Sequence, residues 1–138
     1  MPQYITKAVI KGLIYQPNWF KPSKFLLVKR SNHESFEPGC WDLPGGGIDA
    51  FEQPEEALKR EVKEETDLVV KPIKPLVIYS TQGVVDTHIH YVNILYQCHY
   101  VSGQITLSKE HDEYCWLTLK QARKLTTTKE LAHYLGKI

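Results

Sequence analysis

What is missing from this chain narrows its class first. No apolar run approaches the length of a membrane span, and Lys7 and Lys11 break the apolar start that a signal peptide needs. Cysteine is scarce: Cys40, Cys98 and Cys115 are an odd number without C-x-x-C spacing, which argues against a disulfide framework and fits buried free thiols in a reducing compartment. Neither sign of charge dominates, because 17 Lys and Arg against 16 Asp and Glu leave a formal net charge of +1. The polybasic footprint of a nucleic-acid or membrane-surface protein is therefore lacking. The glycine run at 45–47 is followed by no Gly-Lys-Ser/Thr, so it is no P-loop. Repeats, low-complexity segments and linkers are lacking too. The 138 residues read as one domain, 1–138, large enough to fold without a metal or disulfide staple. The expected setting is cytoplasmic, and the expected partner is a small molecule, with no nucleic acid and no membrane.

What is present centres on residues 46–68. Pro54 suits the first position of a helix, where its missing N–H costs nothing, and Glu55 and Glu56 follow in the first turn against the positive end of the helix dipole. Glu61, Glu64 and Glu65 stand at i, i+3 and i+4 and project from one face with Ala57, while Leu58 and Val62 lie on the adjoining flank and can dock on a sheet. Like charges this close repel each other, and a divalent cation relieves that. Hard oxygen donors suit Mg²⁺ or Mn²⁺ rather than zinc. Arg60 is placed to hold a carboxylate, Glu52 or Glu64, in one rotamer. The plain alternative for a Glu-rich helix is a solvated face. Against it stands the full spacing: Gly46, Glu52, Arg60-Glu61-Val62, Glu64-Glu65 and Leu68 coincide by chance on the order of 10⁻⁸ per window.

The pattern resembles the Nudix box: Gly, five residues, Glu, seven residues, Arg-Glu, an aliphatic residue, any residue, Glu-Glu, any residue, Gly and an aliphatic residue. Every position matches except the closing Gly, which is Asp67 here. The chain leaves the helix at that point, through a left-handed conformation that Gly prefers and Asp tolerates. The resemblance extends to Phe25-Leu26-Leu27-Val28-Lys29-Arg30, to Trp41-Asp42-Leu43-Pro44 ahead of the glycines, and to Glu110-His111-Asp112-Glu113-Tyr114-Cys115-Trp116-Leu117. It implies an α/β (α+β) fold, a mixed β-sheet sandwiched between helices with the box helix on one face. It also implies metal-dependent hydrolysis of a phosphoanhydride bond in a nucleoside diphosphate-linked compound.

By that resemblance the metal set is Glu61, Glu64 and Glu65 with the Gly46 carbonyl. Gly45, Gly46 and Gly47 bring backbone close to metal and diphosphate, and Arg30 reaches substrate phosphate or else forms a surface salt bridge. Glu61, Glu64 and Glu110 are the candidates for accepting the proton of water, and Glu110 has the alternative of being a solvated loop acid. The proline that marks ADP-ribose-type members is absent, since Gln82, Gly83 and Val84 stand there, which favours a nucleoside triphosphate or a modified nucleotide. The other class of function is a nucleotide-sensing or regulatory domain without turnover. The intact carboxylate set weighs against it. The chain is expected to be a monomer or homodimer.

Elsewhere, β-branched and aromatic residues predict a long strand over 4–15 with Gly12 as a bulge or bend, and a short buried strand over 25–30. Trp19 and Phe20 form an aromatic tip that is a base-stacking lid, an oligomer contact or neither. A strand over 68–79 carries Pro72 and Pro75, which place it at an edge or on bulges. The segment 81–86 turns the chain into a longer strand over 88–101, whose His88 and His90 are ordinary hydrogen-bonded strand histidines rather than a metal pair. A last strand over 114–117 leads to a helix over 119–125 capped by Thr118. Thr127 with Glu130 fits a capping box for a terminal helix that buries Leu131, Tyr134 and Leu135.

Overall fold

A computed structural model describes residues 3–16 and 23–138; the aromatic pair Trp19 and Phe20 lies outside the described residues. The elements are β1 (Ile5–Tyr15), β2 (Phe25–Arg30), β3 (Trp41–Asp42), β4 (Gly45–Gly47), α1 (Pro54–Thr66), β5 (Val69–Gln82), β6 (Ile89–Ser102), β7 (His111–Leu117), α2 (Leu119–Ala122) and α3 (Lys129–Leu135). They form one mixed sheet in the order β3-β2-β1-β6-β5, with β4 paired to β1 and β7 to β2. The β1–β6 pair is parallel, and the other pairs are antiparallel.

Period-2 alternation splits the core in two. Ile10, Ile14 and Leu26 face α1 and pack on Ala57, Leu58 and Val62. Leu13, Phe25, Leu27 and Leu95 face the other way, onto Ala122, Leu131, Tyr134 and Leu135 of α2 and α3. This is the expected sandwich, with the box helix on one face.

Several local expectations change. Gly12 is not a bulge: β1 pairs with β6 without a register break from Ile5 to Tyr15. It is glycine because α1 packs down on it; a Cβ there would stand 3.3 Å from Leu58 Cδ1. The glycine run forms a strand, β4, whose Gly45, Gly46 and Gly47 oppose Lys11, Ile10 and Val9. The strand with Pro72 and Pro75 is an edge and also breaks register beside both prolines, as expected, but runs on to Gln82. β7 starts at His111 rather than Tyr114. The helix after Thr118 ends at Ala122, and its cap is a full capping box with Gln121. The last helix is capped by Thr128, whose hydroxyl accepts from the Leu131 N–H. Thr127 is drawn instead into a bridge with Trp41, and Glu130 accepts from the Tyr134 hydroxyl at 3.0 Å.

Candidate active site

Helix α1 starts at Pro54 after Gln53, as its sequence requires, and ends on Asp67 in the left-handed conformation at φ 63°. The Asp67 N–H closes back on the Lys63 carbonyl at 2.9 Å. Leu58, Val62 and Glu65 fall at i, i+4 and i+7, so Glu65 takes a place in the apolar stripe. Burial therefore grades the three carboxylates. Glu65 is 4% exposed, while the side chain of Glu61 is 18% exposed and that of Glu64 is 58% exposed.

Arg60 ties the outer part together. Its Nε and Nη2 donate to the two oxygens of Glu52, each at 2.9 Å. Its Nη1 donates to Glu61 at 3.0 Å and Glu64 at 3.3 Å, and Nη2 also reaches the Gly47 carbonyl at 3.0 Å. The expected support role is thus extended to both candidates and to β4. The Arg60 fork and the Asp49 N–H hold Glu52 down to about 2, so it stays charged.

The inner part is different. Gly45 donates its N–H to Glu65 Oε2 at a long 3.5 Å. Desolvation, reinforced by the nearby charges of Glu110 and Glu61, pushes the Glu65 carboxyl up to about 8, although Lys11 pulls it down. Desolvation also raises Glu61, against the pull of Arg60. Glu110, at the mouth of β7, is exposed, and its donor atoms stand within 4.8 Å of those of Glu65 and His111. It is thus brought to the site and is not a remote loop acid.

The glycines shape the floor. A Cβ on Gly46 would lie 2.6 Å from the Glu61 carboxyl carbon, so only glycine lets that carboxylate rest on β4. The Gly12 N–H donates to the Pro44 carbonyl and the Ile48 N–H to the Ala8 carbonyl, at 2.8 and 2.9 Å. Gly46 stands midway, opposite Ile10, so its carbonyl belongs to the ladder with β1 and keeps a second lone pair at most for a metal. Gly45 and Gly47 are the residues whose polar backbone atoms meet α1.

Beyond Lys11 the sheet opens, toward α3, onto a cavity of about 440 Å³, lined among others by Arg30, Asp42, Asn93, Glu130 and a stacked Tyr79–His133 pair with centroids 3.7 Å apart. Arg30 donates to the Phe36 carbonyl at 2.9 Å and lies 3.8 Å from Glu34, so it meets a salt-bridge partner while lining the cavity. Burial pulls the Lys11 ammonium down, but Asp42 at 3.1 Å, with Glu130 and Glu65, outweighs it and leaves its pKa above normal. His88 lies just ahead of β6, exposed and 3.6 Å from Asp86, and His90 is exposed within β6. The residues missed from sequence are Lys11, Asp42 and His111. The first two are 31 positions apart, and His111 looked like part of a solvated acidic loop.

This donor set fits a divalent cation. Carboxylates converge, one is buried without a Lys or Arg contact among the described residues, and glycine clears room for another. A NUDIX domain profile matches residues 13–136. An ADP-ribose pyrophosphatase of Methanocaldococcus jannaschii is 34% identical over 123 residues, which span 88% of this chain and 68% of that protein. The nucleoside triphosphatase NudI of Klebsiella pneumoniae is 31% identical over 102 residues, 67% of this chain and 72% of its own. Among solved structures, a MutT protein from Methanosarcina mazei Go1 superposes with a TM-score of 0.80 at 26% identity, covering 99% of this chain and 94% of that one.

Proposed function

Because the chain belongs to the Nudix hydrolase family, we propose that its carboxylate face carries out metal-dependent hydrolysis of a phosphoanhydride bond in a nucleoside triphosphate or modified nucleotide. The chain is a pyrophosphohydrolase of nucleotide-linked compounds, and the family works with divalent metal ions. The finer reading assigns Mg²⁺ or Mn²⁺ to Glu61, Glu64 and Glu65 with Glu110, and a monomer or homodimer in the cytoplasm to the protein. The observation that carries it is the convergence of carboxylates on this face: Glu65 is buried, a Glu110 oxygen lies within 4.8 Å of one of its own, and the Glu61 carboxylate rests against Gly46.

Held by Glu61, Glu64 and Glu65 with Glu110, a divalent cation would supply charge neutralisation of the diphosphate and acidification of water. Arg60 fixes the rotamers of Glu52, Glu61 and Glu64, and Gly46 leaves room for the Glu61 carboxylate. Water oxygen bonds to phosphorus as the bridging P–O bond breaks, and the electron pair leaves with the departing phosphate. The water's proton passes to a carboxylate. Desolvation raises the Glu61 carboxyl above its ordinary range, which suits a general base. The nucleoside occupies the cavity toward α3, with Arg30 at the phosphates.

The test is ³¹P NMR of products from a panel of nucleoside triphosphates, modified nucleotides and ADP-ribose, with Mg²⁺ or Mn²⁺. Triphosphate cleavage to monophosphate and pyrophosphate supports the proposal. Cleavage of ADP-ribose alone would correct the substrate class and leave the chemistry standing. No metal-dependent turnover of any of them would refute it.

A further inference from the structure

Among the described residues, two buried side-chain polar atoms lack a hydrogen-bond partner, Ser108 Oγ and His111 Nδ1. Both belong to the segment entering β7 beside Glu65, where the Ser108 N–H holds the Glu65 carbonyl at 3.0 Å. An orphaned polar atom in an interior is costly, so its presence calls for a partner. His111 is only 6% exposed.

The chain takes a local irregularity to put it there. Lys29 pairs with Glu113 and Arg30 with His111, so Asp112 is the extra residue of a β-bulge. Strict alternation back from Trp116 would turn His111 to the opposite face with Glu113. The bulge re-aims it, as bulges beside functional sites do.

His111 Nδ1 stands 3.8 Å from Glu65 Oε2, beyond hydrogen-bond reach. One donor atom from each of Glu65, Glu110 and His111 lies within 4.8 Å of the others. Donors about 2.1 Å from a shared ion stand about 3.0 Å apart at right angles and about 4.2 Å apart when opposite. The 3.8 Å separation falls inside that range.

We propose that Glu65, Glu110 and His111 form a mixed nitrogen and oxygen metal position that takes a first-row transition ion of the Mn²⁺ class, through His111 Nδ1, in preference to Mg²⁺. It rests on the metal reading of the carboxylate face and adds a nitrogen ligand that the box does not supply. Imidazole suits transition ions, whereas Mg²⁺ demands oxygen donors. Coordination through Nδ1 puts the ring proton on Nε2.

The experiment is pulsed EPR of Mn²⁺ bound to the protein, grown with natural or ¹⁵N-labelled histidine, beside the His111→Gln variant. The proposal expects ¹⁴N modulation that changes to the ¹⁵N pattern on labelling and disappears in the variant. It expects the variant's Mn²⁺ Kd to weaken at least about tenfold, with Mg²⁺ affinity changed less than about threefold, since even an outer partner of a metal site is worth tenfold or more. Mn²⁺ bound without nitrogen modulation, or modulation that survives in His111→Gln, overturns the proposal and leaves the carboxylate site intact. Failure to bind Mn²⁺ at all removes both. The labelled wild-type spectrum decides the matter even if the variant does not fold.

Discussion

The two faces of the sheet bury charge in opposite ways. Toward α3, Lys11 and Asp42 meet at 3.1 Å, and Asp42 also accepts from the Leu43 N–H at 2.8 Å. That pair is complete within the chain. Toward α1, Glu65 is as deeply buried but touches no Lys or Arg among the described residues, with one long backbone contact and other carboxylates around it. The difference separates charge that the fold has balanced from charge held ready for something that arrives.

Removing a ligand should give the largest effect. Glu64→Gln keeps shape and helix propensity but removes a charged ligand, so turnover should fall by several decades, while metal-free stability should change by less than about 1 kcal/mol, because the exposed ion pair with Arg60 is lost as like-charge repulsion is relieved. Glu56→Gln, on the solvent side, should leave turnover near wild type. Rates against Mg²⁺ concentration check both, and normal turnover by Glu64→Gln would remove Glu64 from the metal set.

On the balanced face the loss should appear in stability. Lys11→Met leaves Asp42 buried and uncompensated, at a cost of about 3–5 kcal/mol in denaturant unfolding. A change under about 1 kcal/mol would mean that water reaches Asp42 and that the pair is not balanced by burial.

Much of the active face was legible because it is local. Pro54, the carboxylate spacing and Asp67 lie within one helix and its cap, where periodicity and φ preferences decide the structure. The unequal burial of the carboxylates was also readable in principle, from Glu65 sharing the stripe of Leu58 and Val62. What escaped depends on distant segments. The Lys11–Asp42 pair needs β1 and β3 brought together across β2, and His111 reaches Glu65 only through a bulge that the alternation of β7 does not announce. Thr128 rather than Thr127 is the cap because Trp41 bonds the Thr126 carbonyl and the Thr128 N–H, which holds Thr127 in an extended bridge ahead of the helix.

Smaller effects sharpen the account. Gly46→Ala should retain the fold but push the Glu61 carboxylate off β4, lowering kcat by up to about a hundredfold, the scale of an ångström misplacement. An unchanged kcat with normal melting would show that Glu61 has other room. Asp67→Gly should leave turnover intact and shift stability by only about ±1 kcal/mol, because relief of the left-handed strain competes with unfolded-state entropy.

The unpaired state of Glu65 is tested most directly by melting wild type and Glu65→Gln from pH 5 to 8, with chelator and with Mg²⁺. A carboxyl raised from its ordinary range to about 8 binds more protons folded than unfolded, so its contribution is full at low pH and is lost as pH rises toward 8. Relative to Glu65→Gln, metal-free wild type should therefore lose up to about 1.4 kcal/mol per pH unit over that window, a comparison that cancels the opposite contribution of the buried, neutral His111. Mg²⁺ should restore stability, increasingly so at higher pH, because the ion selects the charged form. Glu65→Gln should lose this contribution, melt higher than wild type without metal at pH 8, and gain little from Mg²⁺. If Glu65→Gln instead melts lower at pH 8 and takes up Mg²⁺ as wild type does, Glu65 is not the carboxylate held for the metal.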